Sequence, residues 1–130
     1  MRFAGRWSTP PRAIINCAST YALSILEVVV HGNLGTVPPA MAFVQASIPD
    51  QVSRTIVDPA SLPGWDAADL QVAQRFGNDW FDSAASAVLV VPSVLSPFEQ
   101  NVLINHRHPD FNAIKAVAKG RVAVDSRLLR

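Results

Sequence analysis

The chain has 130 residues, of which 49% are hydrophobic and only 16% charged, and its formal net charge is +1. That balance points to one domain over residues 1–130 with a proper core; it excludes a disordered chain and gives no support to a large basic face for nucleic acid. No apolar run reaches the roughly 18 residues of a membrane span, and MRFAGRWSTPP lacks the apolar stretch of a signal peptide.

In chain order, Met1 to Pro11 reads as irregular, with Gly5 before Arg6-Trp7 and a brake at Pro10-Pro11. Ala13 to Ala18 (AIINCA) is β-branched and reads as a strand. It leads into STYALSILEVVVHG, a helix that Ser19 or Thr20 can cap and Gly32 can end. Asn33 to Pro39 is a turn-rich connection. Ala42 to Ile48 alternates as a strand does, and Ser53 to Val57 is a weaker second one. Pro59 to Trp65 is a loop. Asp66 to Phe76 reads as a helix capped by Asp66, Gly77-Asn78 as its break, and Trp80-Phe81 as the opening of another. Ala87 to Val91 is the strongest strand signal and stops at Pro92. A proline-punctuated segment follows, then a polar turn from Asn101 to Asp110, then one or two strands from Ile114 to Val124. Strands and helices mix without a regular βαβ rhythm, so the expected class is α+β, or irregular α/β.

One residue stands out. From Tyr21 to Val30 every position is apolar or small except Glu27. A helix apolar all round belongs in a core, where an ionised carboxylate is costly unless paired. Leu23, Val30 and His31 lie beside Glu27 at helical spacing. Two readings stay open: a structural ion pair with one of the arginines, or a catalytic carboxylate at the wall of a pocket.

Other polar groups are weaker signals. Arg6, between Gly5 and Trp7, suits an oxyanion site because guanidinium donates paired hydrogen bonds, but stacking on Trp7 is the plainer use. Ser93 follows the strongest strand, where ligand groups often sit; a turn or cap serine is commoner, and no G-x-S-x-G surrounds it. Asn101 and Asn105 are four apart, which on a helical turn directs both amides one way, to orient a ligand or to tie the loop. His31, His106 and His108 lack a metal-binding pattern, so no metal is expected. The single cysteine, Cys17, cannot form an internal disulfide; it reads as inert packing and fits a reducing cytoplasm.

Taken together, GRWSTPP, the strand, ALSILEVVVH, VPSVLSPFEQNVLINHRHPDF and VDSRLL resemble the RES domain, a bacterial family named for an arginine, a glutamate and a serine. The resemblance implies a fold similar to ADP-ribosyltransferase toxins, with mostly antiparallel central sheets flanked by helices. It also implies a toxin of a toxin–antitoxin pair that degrades NAD in the cytoplasm, partnered by an Xre-type helix-turn-helix antitoxin. NAD would be the substrate rather than a resident cofactor, and water or inorganic phosphate the acceptor. The family arginine falls on Arg6, the glutamate on Glu27, the serine on Ser93, and the asparagine before H-P on Asn105. Asn16 occupies the position where the family usually has tyrosine, at the end of the strand before the helix. Most relatives also begin with a further strand carrying another arginine, whereas this sequence starts almost at G-R-W. These departures motivate a second expectation, an inactive module that only binds an antitoxin. A third is mono-ADP-ribosyl transfer to a protein. The low charge and large apolar fraction suit a surface covered in a homodimer or by that partner.

Overall fold

A computed structural model describes residues 5–31 and 42–121. The β-branched run Ile14–Ala18 forms strand β1, and Tyr21–His31 forms helix α1. Thr20 is the cap between them: its hydroxyl accepts the Leu23 N–H at 3.1 Å and its carbonyl accepts the Ser24 N–H. Strands β2 (Ala42–Ser47) and β3 (Arg54–Ile56) follow, then helix α2 (Gln71–Ser83) and strands β4 (Val88–Pro92), β5 (Gln100–Asn105) and β6 (Lys115–Arg121).

The strands form two sheets. One has four strands in the order β1-β5-β4-β3, and the other pairs β2 with β6. Every pairing is antiparallel except β3 with β4, whose connection contains α2. Parallel neighbours need such a crossover, because a tight turn can only reverse the chain. The class is therefore α+β with mostly antiparallel strands.

Both faces of the four-stranded sheet are covered. Leu89, Val91 and Leu103 pack with Trp7, Val57 and the α2 residues Ala73, Trp80 and Phe81. The opposite face places Val88 and Ile104 against Val52 and Ala87, with Ile48, Phe111 and Ile114 beside them. This division follows from the period of two along a strand.

One face of α2 grips the segment that carries Arg6. The Gln74 amide donates to the Gly5 carbonyl at 2.8 Å, and Asn78 exchanges two 3.0 Å bonds with Thr9. Asp82 pairs with Arg12 through both carboxylate oxygens. Gly77 lies within the same stripe, and a Cβ there would stand 1.6 Å from the Trp7 carbonyl oxygen. Residues 74, 77, 78 and 82 recur at helical spacing, so a single face does all of this.

Several local expectations are corrected. Gly77-Asn78 does not break α2; the helix runs through it, because glycine here admits a neighbouring backbone rather than a turn. The helix starts at Gln71, not at Asp66: Leu70 sits at its N-cap with φ 62°, and Asp69 accepts the Gln71 N–H. Residues 100–105 are a strand and not a polar turn, since Val102 to Ile104 supply an apolar centre between two asparagines. Over residues 21–27, helix α1 is not wrapped by core. Leu23 is buried, but Tyr21, Ala22 and Leu26 are exposed, and the Tyr21 ring lies 4.6 Å from that of Phe43. A helix flanking an edge strand has one face to bury, whatever its composition. The expected cap at Gly32, the turn at 33–39 and the segment 122–130 lie outside the described residues. Among the described residues no helix is long and apolar enough to cross a membrane.

Candidate active site

Strand register sets the frame of the site. Asn101, Leu103 and Asn105 alternate onto one face of β5, the face of the core under α2. Across to β1 they pair with Ala18, Asn16 and Ile14, and across to β4 the first two pair with Val91 and Leu89. Asn16, Asn101 and Asn105 thus share a face, with Asn101 and Asn105 about 13 Å apart along the strand. Ser93 follows β4 two residues beyond Val91, at the end of the sheet where Asn101 lies.

Glu27 reaches that end from α1. It is half-buried, and the Asn101 amide donates to its Oε1 at 3.0 Å. The amide donor is neutral and orients one oxygen of the carboxylate. None of Arg6, Asn16, Ser93 or Asn105 hydrogen-bonds Glu27.

Arg6 is half-buried and its Nη1 donates to the carbonyls of Trp65 and Ala67 at 3.2 and 3.1 Å. Among the described residues its Nε and Nη2 have no acceptor, so the side edge of the fork is open to an anion. The Trp7 indole lies nearly parallel to that of Trp65, 6.2 Å away, which holds the same loop beside the segment.

Ser93 is buried, and its Oγ accepts the N–H groups of Leu95 and Ser96 at 3.1 and 3.2 Å. The hydroxyl closes the turn after β4, and among the described residues no base hydrogen-bonds it. Asn105 is buried likewise, with Oδ1 accepting the Arg107 N–H at 3.0 Å. Asn16 is exposed; its amide donates to the Ile14 carbonyl at 3.3 Å.

An open groove of ≈ 510 Å³ is lined by Gly5, Ser8, Arg12, Asn16 and His106 among others. Its lining includes Asn16 but not Glu27, Ser93, Asn105 or Arg6. His106 donates through Nδ1 to the Ala13 carbonyl at 2.9 Å, since a carbonyl can only accept. His108 caps the turn after it by accepting the Asp110 N–H at 3.0 Å. Burial pushes the Cys17 thiol up, away from the reactive thiolate.

The sequence singled out Glu27 but not the residue that holds it. Asn101 was visible only as half of a spaced pair with Asn105. Its contact with Glu27 exists because β5 pairs with β1 and α1 follows β1 directly.

The fold is α+β, with a carboxylate on the first helix hydrogen-bonded to a polar row on a mostly antiparallel sheet. The chain matches the RES domain over residues 1–125 and belongs to the RES domain family. It is 42% identical over 130 residues to a protein of Sphingobium sp. named Prs ADP-ribosylating toxin, covering 97% of this chain and 81% of that one. It is 32% identical to a protein named Toxin Res from Pseudomonas putida, with 88% and 79% covered. A second Toxin Res, from Photorhabdus laumondii, is also 32% identical, with 98% and 83% covered. The relatives it matches are thus named as toxins.

Proposed function

We propose that the protein is a toxin that cleaves the nicotinamide–ribose bond of NAD and passes the ADP-ribosyl group to water or inorganic phosphate. The observation that carries this reading is Glu27, held by Asn101 at the end of the sheet that also bears Asn16, Asn105 and the Ser93 turn. As the bond breaks, its electron pair leaves with nicotinamide and positive charge grows on the ribose carbon. A fixed carboxylate stabilises that charge better than a solvated one, because it needs no reorganisation. The acceptor then bonds to the same carbon, and water would lose a proton in doing so. Arg6 would neutralise the pyrophosphate with the open edge of its fork. Asn16, Ser93 and Asn105 would bind the nicotinamide and ribose ends. NAD is a substrate here, and the partner would be an Xre-type helix-turn-helix antitoxin acting in the cytoplasm.

A second reading has one observation in its favour: the relative at 42% identity is named for ADP-ribosylating Prs. Transfer to a protein breaks the same bond and differs only in the acceptor. Purified protein with NAD labelled in the adenosine half separates the two. Under the first reading the label accumulates in a small product, with free nicotinamide, and Glu27→Ala stops it. Label retained on protein selects the second reading. No nicotinamide release at high enzyme concentration, with or without phosphate or protein acceptors, defeats both.

A further inference from the structure

Two of the contacts that hold helix α1 come from within three consecutive residues, 99–101. Asn101 holds Glu27 in its second turn. Glu99 holds its first: the Thr20 hydroxyl caps the helix by accepting the Leu23 N–H and donates its one proton to Glu99 Oε1. The other oxygen of Glu99, Oε2, accepts the Ser96 hydroxyl at 2.7 Å. Ser96 in turn gives its backbone N–H to Ser93 Oγ, at 3.2 Å, and its carbonyl to the Glu99 N–H, at 3.0 Å. Ser19 adds a backbone pair with Gln100, at 2.9 Å, and accepts the Gln100 N–H on its hydroxyl at 3.2 Å. The half-buried Glu99 carboxylate therefore stands between two elements distant in sequence, the cap of α1 and the turn built on Ser93.

We propose that Glu99 is a positioning residue, clamping the Ser93 turn to the first turn of α1 so that Glu27 is held in register with the end of the sheet. The inference rests on the NAD-cleaving reading of Glu27 and deepens it. Ionised carboxylate is the form that accepts both protons, and the Ser96 and Thr20 hydroxyls hold it below the usual range, so the clamp is closed at neutral pH. Glu27 lies seven residues beyond Thr20, about 10 Å along the helix. A small tilt at the cap is carried to the carboxylate, where a displacement of about 1 Å from the productive geometry costs on the order of 100-fold in rate. A partly solvated acid on hydroxyl partners contributes little to overall stability, so the effect falls on placement rather than on folding.

The test combines kinetics with amide hydrogen exchange on the full chain. Glu99→Ala is expected to lower kcat for nicotinamide release by about 10- to 100-fold while KM for NAD changes by less than about threefold. Glu99→Gln keeps an oxygen for Thr20 and an amide for Ser96 Oγ, and is expected to recover most of that loss. In Glu99→Ala the amides of Leu23, Leu95 and Ser96 exchange faster together, while in Glu27→Ala they keep wild-type protection. Wild-type kcat in Glu99→Ala, or unchanged exchange at these three amides, overturns the proposal. If Glu99→Ala does not fold, kcat and exchange in Ser96→Ala, which opens one side of the clamp, decide in its place: a lowered kcat with faster exchange supports the proposal, and wild-type values for both overturn it. Should the wild type release no nicotinamide, the proposed function fails by itself, and the exchange pattern still decides whether the clamp exists.

Discussion

The Asn101 amide on β5 meets the Glu27 carboxylate on α1 at 3.0 Å, joining residues that lie far apart in the chain. The bond gives one oxygen of the acid a fixed direction relative to β5. Under the proposed NAD-cleaving function, Asn101→Ala is expected to lower nicotinamide release about tenfold, by removing one bond that orients Glu27. Asn101→Asp is expected to do worse, since two carboxylates at that distance repel. Steady-state kinetics of the two variants, with circular dichroism as a folding control, check the order.

Gly77→Ala is expected to destabilise the fold by ~2 kcal/mol or more, because the added carbon meets the Trp7 backbone oxygen and neither side can swing away. Urea denaturation measures it. A neutral result would mean that α2 and the Arg6 segment separate easily.

Ala84 takes a left-handed conformation (φ 51°) to cap the end of α2, with its N–H on the carbonyls of Trp80 and Phe81. Glycine adopts that conformation without the Cβ clash, so Ala84→Gly is expected to stabilise by about 1 kcal/mol. The corresponding rise in Tm is roughly 4 °C.

The Arg12 guanidinium hydrogen-bonds Asp82 and holds its carboxyl below the usual carboxylate range. A folded-state value below the unfolded one means stabilisation that is complete above that range and fades as the pH falls through the lowered folded value. Asp110, held down by Ser53, behaves the same way. Wild type is therefore expected to exceed Asp82→Asn in Tm at pH 7, with the difference closing as the solution is acidified below about pH 4. The pair is solvent-facing, so added salt should narrow the gap as well.

Cys17 packs among Val102, Ile104 and their neighbours, and its thiol is pushed up by burial. Alkylation by a thiol reagent is expected to be slow in the native protein and fast in denaturant. Mass spectrometry over time distinguishes the two states.

Much of the frame is legible in the residues alone. The β-branched runs at 14–18 and 88–91 announce strands, and Thr20 before an apolar run announces a helix start. Strand β5 is harder, because its apolar centre is only three residues long and both flanking asparagines read as loop formers. Glycine at 77 carries two meanings, and only the approach of the Trp7 carbonyl selects between them. Glu27 was conspicuous as a charge among apolar neighbours. Its setting was not, since composition cannot reveal that α1 flanks an edge strand and leaves Tyr21 and Leu26 outside. The roles of Asn101 and Glu99 are not legible in the sequence, because hydrogen-bond partners across elements depend on register, which spacing along one strand does not encode.

Strand β1 is completed by β5, so residues 14–18 wait for residues 101–105 before the polar row and the Glu27 anchor exist. Loop closure over such a span is slow and comes late in folding. A polypeptide still emerging from the ribosome would hold the acid and the arginine but no assembled centre. Until residues 101–105 have been made and paired with β1, Glu27 has no Asn101 to meet.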